Sequence, residues 1–226
     1  MCGRFALAVT RERVLDLFGL EACAEFRPRY NIAPLTPVLV VRADAAGART
    51  GVLHRWGLLP SWAKDPALAA KLINARSETV AGKPAFRSAF RRWRCLIPAS
   101  GFYEWKAADE RGRLIKQPFF IRPAADGDLF AFAGLTERWV SPEGAEIHSC
   151  CILTTAANDR MAPIHDRMPV LLAPADHDAW LDPANTEPAR LHALLKPAPS
   201  EGMVAYPVSR AVNASKNESP DLIEPL

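Results

Sequence analysis

Cys2, directly behind the initiator methionine, carries the most distinctive chemistry in the chain. A small second residue permits removal of Met1, which would expose a free 1,2-aminothiol. An α-amine titrates near ~7.7–8.0 and a thiol near ~8.5, so at neutral pH a useful fraction of each is nucleophilic without special tuning. The nearby Arg4 is expected to lower both. The amine condenses with an aldehyde to an imine and the thiol then closes a five-membered thiazolidine, so an aldehyde is the expected target. By position alone, a small buried hydrophobe is the more frequent reading of such a cysteine, and the context must supply the rest.

Proton transfer needs partners. Glu104 lies in Gly101-Phe102-Tyr103-Glu104-Trp105, where strand alternation cannot keep every large ring out of the core. A carboxylate desolvated among aromatics suits a general acid, the competing reading being an outward-facing strand glutamate. His165 stands between prolines in Pro163-Ile164-His165-Asp166-Arg167-Met168-Pro169, a loop where a histidine either exchanges protons or simply faces water. Asn74 and Arg76, two residues apart, point to one side if the chain there is extended. They then offer an amide to orient a carbonyl or hydroxyl and a guanidinium for a phosphate. A helix terminus is the alternative. The five cysteines, Cys2, Cys23, Cys95, Cys150 and Cys151, are odd in number and contain no C-x-x-C pair, so neither a disulfide framework nor a zinc site is expected.

The elements that must position these residues are short. Twenty prolines spread through 226 residues argue for many short segments joined by fixed turns. Three hairpins are predicted. The first joins Val38–Val41 to Gly51–Leu59, the second joins Cys95–Trp105 to Ile115–Ile121 across Lys106–Arg113, and the third joins Leu129–Val140 to Ile147–Thr155 across Ser141–Gly144. Thr10 caps a helix presenting Val14, Leu17 and Phe18 before Gly19 ends it. Asp65-Pro66 starts a second helix running to about Ile73. Pro84 starts a third, with Phe86, Ala89, Phe90 and Trp93 on a buried face and its arginines in solvent. Short packing helices around Trp180-Leu181 and Leu191–Leu195 complete the set.

With 49% hydrophobic and 23% charged residues, the chain has a globular composition, and its length favours one domain over two. No apolar run approaches the ~20 residues of a membrane span and no signal peptide is visible, so a cytoplasmic location without membrane contact is expected. A net charge of +3 does not mark a nucleic-acid binder. The stretch from Thr79 to Tyr103 does carry Lys83, Arg87, Arg91, Arg92 and Arg94 without an acid, interleaved with Phe86, Phe90 and Trp93.

Seven motifs together resemble the SOS-response-associated peptidase (SRAP) family over nearly the whole chain. They are Met1-Cys2-Gly3-Arg4, Asn31-Ile32-Ala33-Pro34, Trp56-Gly57-Leu58-Leu59-Pro60-Ser61-Trp62, Asn74-Ala75-Arg76-Ser77-Glu78-Thr79, Cys95-Leu96-Ile97-Pro98-Ala99 with Gly101–Trp105, Phe132-Ala133-Gly134-Leu135, and Ile164–Pro169. One departure is Thr136, where an aromatic is expected before Glu137. It alters a pocket wall and touches none of the residues assigned to catalysis.

The resemblance implies an α+β fold in a single domain over residues 1–226, with a largely antiparallel β-barrel-like core, short flanking helices and a tail from about residue 213. It implies a basic groove for single-stranded DNA and a covalent thiazolidine cross-link between Cys2 and an abasic site, without cofactor. Asn74 would position the reactive amine and sugar, Glu104 would act as acid and base in ring opening and imine formation, and His165 would donate a proton to the sugar hydroxyl. Arg4, Arg76 and Arg167 would hold phosphates, and Trp62, Trp105 and Pro34 would stack on or wedge between bases. A nucleoid-associated monomer acting on single strands and strand junctions is expected. A thiol autopeptidase or N-terminal-nucleophile hydrolase, and an abasic-site lyase, are the competing activities.

Overall fold

The computed structural model describes residues 2–110 and 112–226. In chain order it runs β1 (Phe5–Leu7), α1 (Arg11–Phe18), β2 (Ala22–Cys23), β3 (Arg29–Ile32), β4 (Pro37–Ala43), β5 (Arg49–Trp56), β6 (Asn74–Arg76), α2 (Arg87–Arg92) and β7 (Arg94–Ala99). There follow β8 (Gly101–Glu110), β9 (Arg113–Pro123), β10 (Phe130–Val140), β11 (Glu146–Ala156), β12 (Arg167–Pro169), α3 (His177–Leu181), α4 (Pro188–Ala193) and β13 (Met203–Pro207).

One sheet has the order β13-β9-β8-β1-β3. The other follows β12-β11-β10-β7-β4-β5-β2, and a parallel pairing of β11 with β5, Ser149 opposite Arg55 and Cys150 opposite Trp56, closes β4, β5, β11, β10 and β7 into a five-stranded barrel. Closure leaves those five strands without a long free edge. The fold is therefore α+β with a barrel-like, largely antiparallel core.

Phe5 of β1 joins the two sheets. Its ring meets Trp56 edge-on at 5.2 Å and Phe132 at 5.8 Å, so it plugs one end of the barrel. Trp56, Phe132, Ile97 and Ile152 are fully buried there.

The first and third hairpins form as expected, by β4 with β5 and by β10 with β11. The second differs. The continuous apolar run from Cys95 breaks at Ser100: β7 stays in the barrel beside β10, while β8 enters the other sheet and pairs with β9 as far as Glu110. The break is anchored by Ser100, whose amide donates to the Ala6 carbonyl and whose hydroxyl accepts from the Ala8 amide. Gly101 follows because a Cβ there would sit 2.5 Å from the Ile121 carbonyl oxygen and against the Phe120 ring. Apolar content alone cannot reveal the switch, since both halves are buried.

α1 ends as expected, with Thr10 accepting from the Arg13 amide and Gly19 left-handed at φ 59°, although Leu17 is exposed. The segment after Asp65 is a single 3-10 helix, Pro66–Lys71, ending before the predicted Ile73. The third helix starts at Arg87, not Pro84. Two details of its predicted burial are corrected. Trp93 lies past its end and is 47% exposed, whereas Arg94 is buried and donates to the carbonyls of Phe90, Arg91, Trp180 and Asp182. The last residues, set apart as a tail in the sequence, are docked: Val212 and Leu222 are buried with Tyr103 and Phe120, and the Tyr103 hydroxyl donates to the Tyr30 carbonyl.

Candidate active site

Four segments converge near the start of β1. After Trp56 the chain leaves the barrel through Gly57, whose φ of 137° and close approach to the Ala69 carbonyl, 2.7 Å from where a Cβ would lie, suit only glycine. It returns as β6, laid parallel along β11 where β5 ends, with Asn74 opposite Ile152 and Arg76 opposite Thr154. On the other edge of β11, β12 takes over from β10, with Ala156 opposite Arg167. Asn74 thus comes from one flank and His165 from the loop entering the other. Glu104 comes from β8, which pairs with β1 at Phe5 and Phe102, just beyond Cys2.

Cys2 is fully buried. Its carbonyl accepts a 2.8 Å hydrogen bond from Asn74 Nδ2, while Asn74 Oδ1 is buried without a hydrogen bond among the described residues. Burial pushes the Cys2 thiol well above the ordinary value, and the Glu104 charge adds to that. This reverses the expectation that Arg4 lowers it. Arg4 instead donates to Asn31 Oδ1 at 2.7 Å and to the Val212 carbonyl at 2.9 Å.

Glu104 is 3% exposed, so the inward alternative holds, and its Oε2 lies 4.0 Å from His165 Nε2. His165 Nδ1 accepts from the Arg167 amide at 3.0 Å, and that amide is a donor only. Nε2 faces Glu104. Asp166 Oδ1 lies 2.9 Å from Nδ1, so Nδ1 has an acceptor when it carries hydrogen and a donor in the Arg167 amide when it does not. The arrangement offers a hydrogen-bonding partner to each protonation state.

Arg167 is engaged as well. Its guanidinium makes a fork with the Glu78 carboxylate, one arm at 2.9 Å, and donates to the Thr154 carbonyl at 2.7 Å. This pairing holds the Glu78 carboxyl below the usual carboxylate range. Arg76 is exposed and makes no ion pair among the described residues, and Trp62 is 58% exposed. Trp105 is half-buried, its Nε1 donating to Asn213 Oδ1 at 2.7 Å, and Pro34 sits half-buried in the turn after β3. Among the described residues, Trp62, Trp105, Pro34 and Arg76 make no side-chain hydrogen bond to Cys2 or Asn74. No cluster of three metal-ligating side chains occurs among the described residues. Met1, whose removal the sequence leads one to expect, lies outside them.

The model of the family SOS response associated peptidase (SRAP) matches residues 1–215. The chain belongs to the SRAP family. It is 44% identical to abasic site processing protein YoqW of Bacillus subtilis (strain 168), covering 99% of each chain. It is 35% identical to abasic site processing protein YedK of Escherichia coli (strain K12), covering all of both. It is 32% identical to abasic site processing protein HMCES of Gallus gallus, covering all of this chain and 78% of that one. Among solved structures, a phage-related protein from Bordetella bronchiseptica superposes with a TM-score of 0.71 at 33% identity, covering 92% of this chain and 95% of that one.

Three residues of this SRAP chain escape a reading of the sequence for site chemistry. Asn31, fully buried, holds Arg4 and donates to the carbonyls of Val212, Ala214 and Asn217, tying the last segment to β3. Glu78 holds Arg167, 89 residues away in sequence, and no local spacing signals that pair. Leu35, next to Pro34, is 39% exposed at φ 67°. A bulky apolar residue held left-handed at the surface is strained, and such strain clusters at functional sites.

Proposed function

We propose that this protein cross-links itself to abasic sites in single-stranded DNA through the amine and thiol of Cys2. The reading rests above all on the Asn74 amide holding the Cys2 main chain beside the Glu104–His165 pair. The names of its relatives YoqW, YedK and HMCES, abasic site processing proteins all three, make an abasic site the natural aldehyde.

With Met1 removed, the Cys2 amine attacks C1′ of the ring-opened deoxyribose, forming a carbinolamine that loses water to give an imine. The thiol adds to the imine carbon and its proton passes to nitrogen. The sum is aldehyde plus aminothiol giving thiazolidine plus one water. Because burial holds the thiol protonated, the amine attacks first and the thiol closes the ring. Glu104 and His165 take and return protons in ring opening and water loss, and Asn74 orients the amine. An aldehyde is a handle that no intact nucleotide offers, so base identity matters little. Arg76, Arg4 and Arg167 contact phosphates, Trp62, Trp105 and Pro34 stack on or wedge between bases, and strand junctions are included among the substrates. The protein acts as a cytoplasmic, nucleoid-associated monomer.

The test is intact-protein mass spectrometry before and after incubation with a short oligonucleotide carrying one abasic site. Loss of Met1 and a heat-stable one-to-one adduct, absent in Cys2→Ala, is the expected result. Multiple turnover on peptides would favour a hydrolase, and strand cleavage without an adduct would favour a lyase.

A further inference from the structure

Phe5 fills one end of the five-stranded barrel, and the other end is open. There a cavity of about 430 Å³ is lined by Arg42, His54, Trp93, Thr136 and His148, together with Glu137 and Arg138. Strand registers explain why polar side chains meet inside a barrel. Arg42 lies four residues beyond Val38, the partner of His54, while Thr136 pairs with Cys150 and His148 with Arg138. With side chains alternating along each strand, these groups share the inward face with Trp56 and Phe132, displaced along the strands away from Phe5.

The lining holds a guanidinium that forms no ion pair among the described residues. Arg42 makes no hydrogen bond or ion pair among the described residues, and its guanidinium stacks on the half-exposed Trp93 ring at 5.8 Å. Arg138 is already bound to Glu146. His54 is 5% exposed, with Nδ1 3.4 Å from the Ser149 carbonyl, an acceptor, so the hydrogen sits on Nδ1 and leaves Nε2 as an acceptor. Burial and then the Arg42 charge push His54 down to about 4, so the ring is neutral. His148 tilts against it, centroids 5.4 Å apart. The cavity thus combines a cation unpaired among the described residues, ring walls from Trp93 and His148, and an acceptor at His54 Nε2.

We propose that this barrel mouth binds a nucleoside monophosphate bearing an amino base, with the phosphate on Arg42, the base along Trp93 and His148, and its amino group toward His54 Nε2. The volume falls in the ordinary range of small-molecule sites, and barrel mouths commonly hold them. A bare anion leaves the ring walls unused, and a neutral base leaves Arg42 unpaired. The site lies at the barrel end away from Phe5 and uses none of the residues assigned to cross-linking.

Isothermal titration of the full chain with dAMP, deoxyadenosine, inorganic phosphate and an abasic-free 5′-phosphorylated oligonucleotide tests this, with Arg42→Gln and Trp93→Ala alongside. Saturable binding of dAMP is expected, about ten-fold or more weaker for deoxyadenosine and for phosphate. Each variant is expected to weaken it by a similar factor with an unchanged melting temperature and unchanged cross-linking yield. The tighter of dAMP and the oligonucleotide identifies whether the nucleotide is free or the end of a strand. Absence of saturable binding by both, or binding that Arg42→Gln leaves intact in a folded protein, overturns the proposal. A failure of cross-linking with dAMP binding intact would strike the proposed function alone.

Discussion

Asn74 Nδ2 donates to the main-chain carbonyl of Cys2 at 2.8 Å, so a side chain delivered by β6 fixes the backbone of a residue that precedes the first strand. If that bond orients the reactive amine, its loss acts on rate before stability. Asn74→Ala is expected to slow cross-linking about ten-fold, the equivalent of one hydrogen bond of about 1.4 kcal/mol. Asn74→Asp should be slower still, because a carboxylate facing the carbonyl repels it. Initial rates of denaturant-resistant adduct, beside melting curves, check this. Equal rates for wild type and Asn74→Ala would remove Asn74 from the chemistry.

Amine and thiol are separable at Cys2. Cys2→Ser and Cys2→Ala keep the α-amine once Met1 is gone but cannot close a thiazolidine, so both should form an imine that borohydride traps and heat reverses. Strand cleavage should rise in both relative to wild type. A heat-stable adduct without borohydride in either variant would mean that the thiol is not the ring-closing group.

Much of this site was legible in the sequence because its residues sit in dense local motifs. Thr10 and Gly19 bound α1, and the flanking runs defined the hairpins of β4 with β5 and β10 with β11. What stayed hidden was non-local. The parallel pairing of Ser149 with Arg55 that closes the barrel joins segments almost a hundred residues apart, and no periodicity records it. The switch of sheets at Ser100 falls inside one apolar run. The Arg4–Asn31 and Arg167–Glu78 pairs engage arginines that the family resemblance assigns to phosphate.

Buried thiols and imidazoles set the pH range of stability. Burial pushes Cys2, Cys95, Cys150 and Cys151 above their ordinary value of 9.0. In the unfolded chain these four ionise near that value and in the folded chain they do not. Their contribution is thus complete below about pH 9 and is lost as pH rises, by about 1.4 kcal/mol per unit and per thiol. His54, pushed down to about 4 from 6.5, works on the acid side. Its neutral form is favoured by folding, so that stability is present above about 6.5 and falls away toward 4, by about 3 kcal/mol in all. Calorimetry from about pH 4 to 10 should show a melting temperature declining at both ends, and Cys95→Ala should flatten the alkaline limb. An alkaline limb unchanged by that variant would indicate that the thiol is exposed in solution.

Arg76 and Arg167 should fail in different ways, although both are arginines close to the same strand. Arg76 is exposed and without an ion pair among the described residues, whereas Arg167 is held by Glu78 and the Thr154 carbonyl while its amide lies 3.0 Å from His165 Nδ1. Removing Arg76 deletes a phosphate contact: Arg76→Gln should weaken single-strand binding and reduce the slope of log affinity against log salt by about 0.7, with little change in rate at saturating DNA. Removing Arg167 frees Glu78 and loosens the His165 loop, so Arg167→Gln should lower the saturating rate several-fold more than it weakens binding. Glu78→Gln separates the two functions of Arg167. If the guanidinium serves mainly to position the loop, Glu78→Gln reproduces the lower rate; if phosphate and Glu78 compete for it, the same change tightens binding at low salt and steepens the salt slope. Anisotropy titrations at several salt concentrations, paired with single-turnover cross-linking, decide between them.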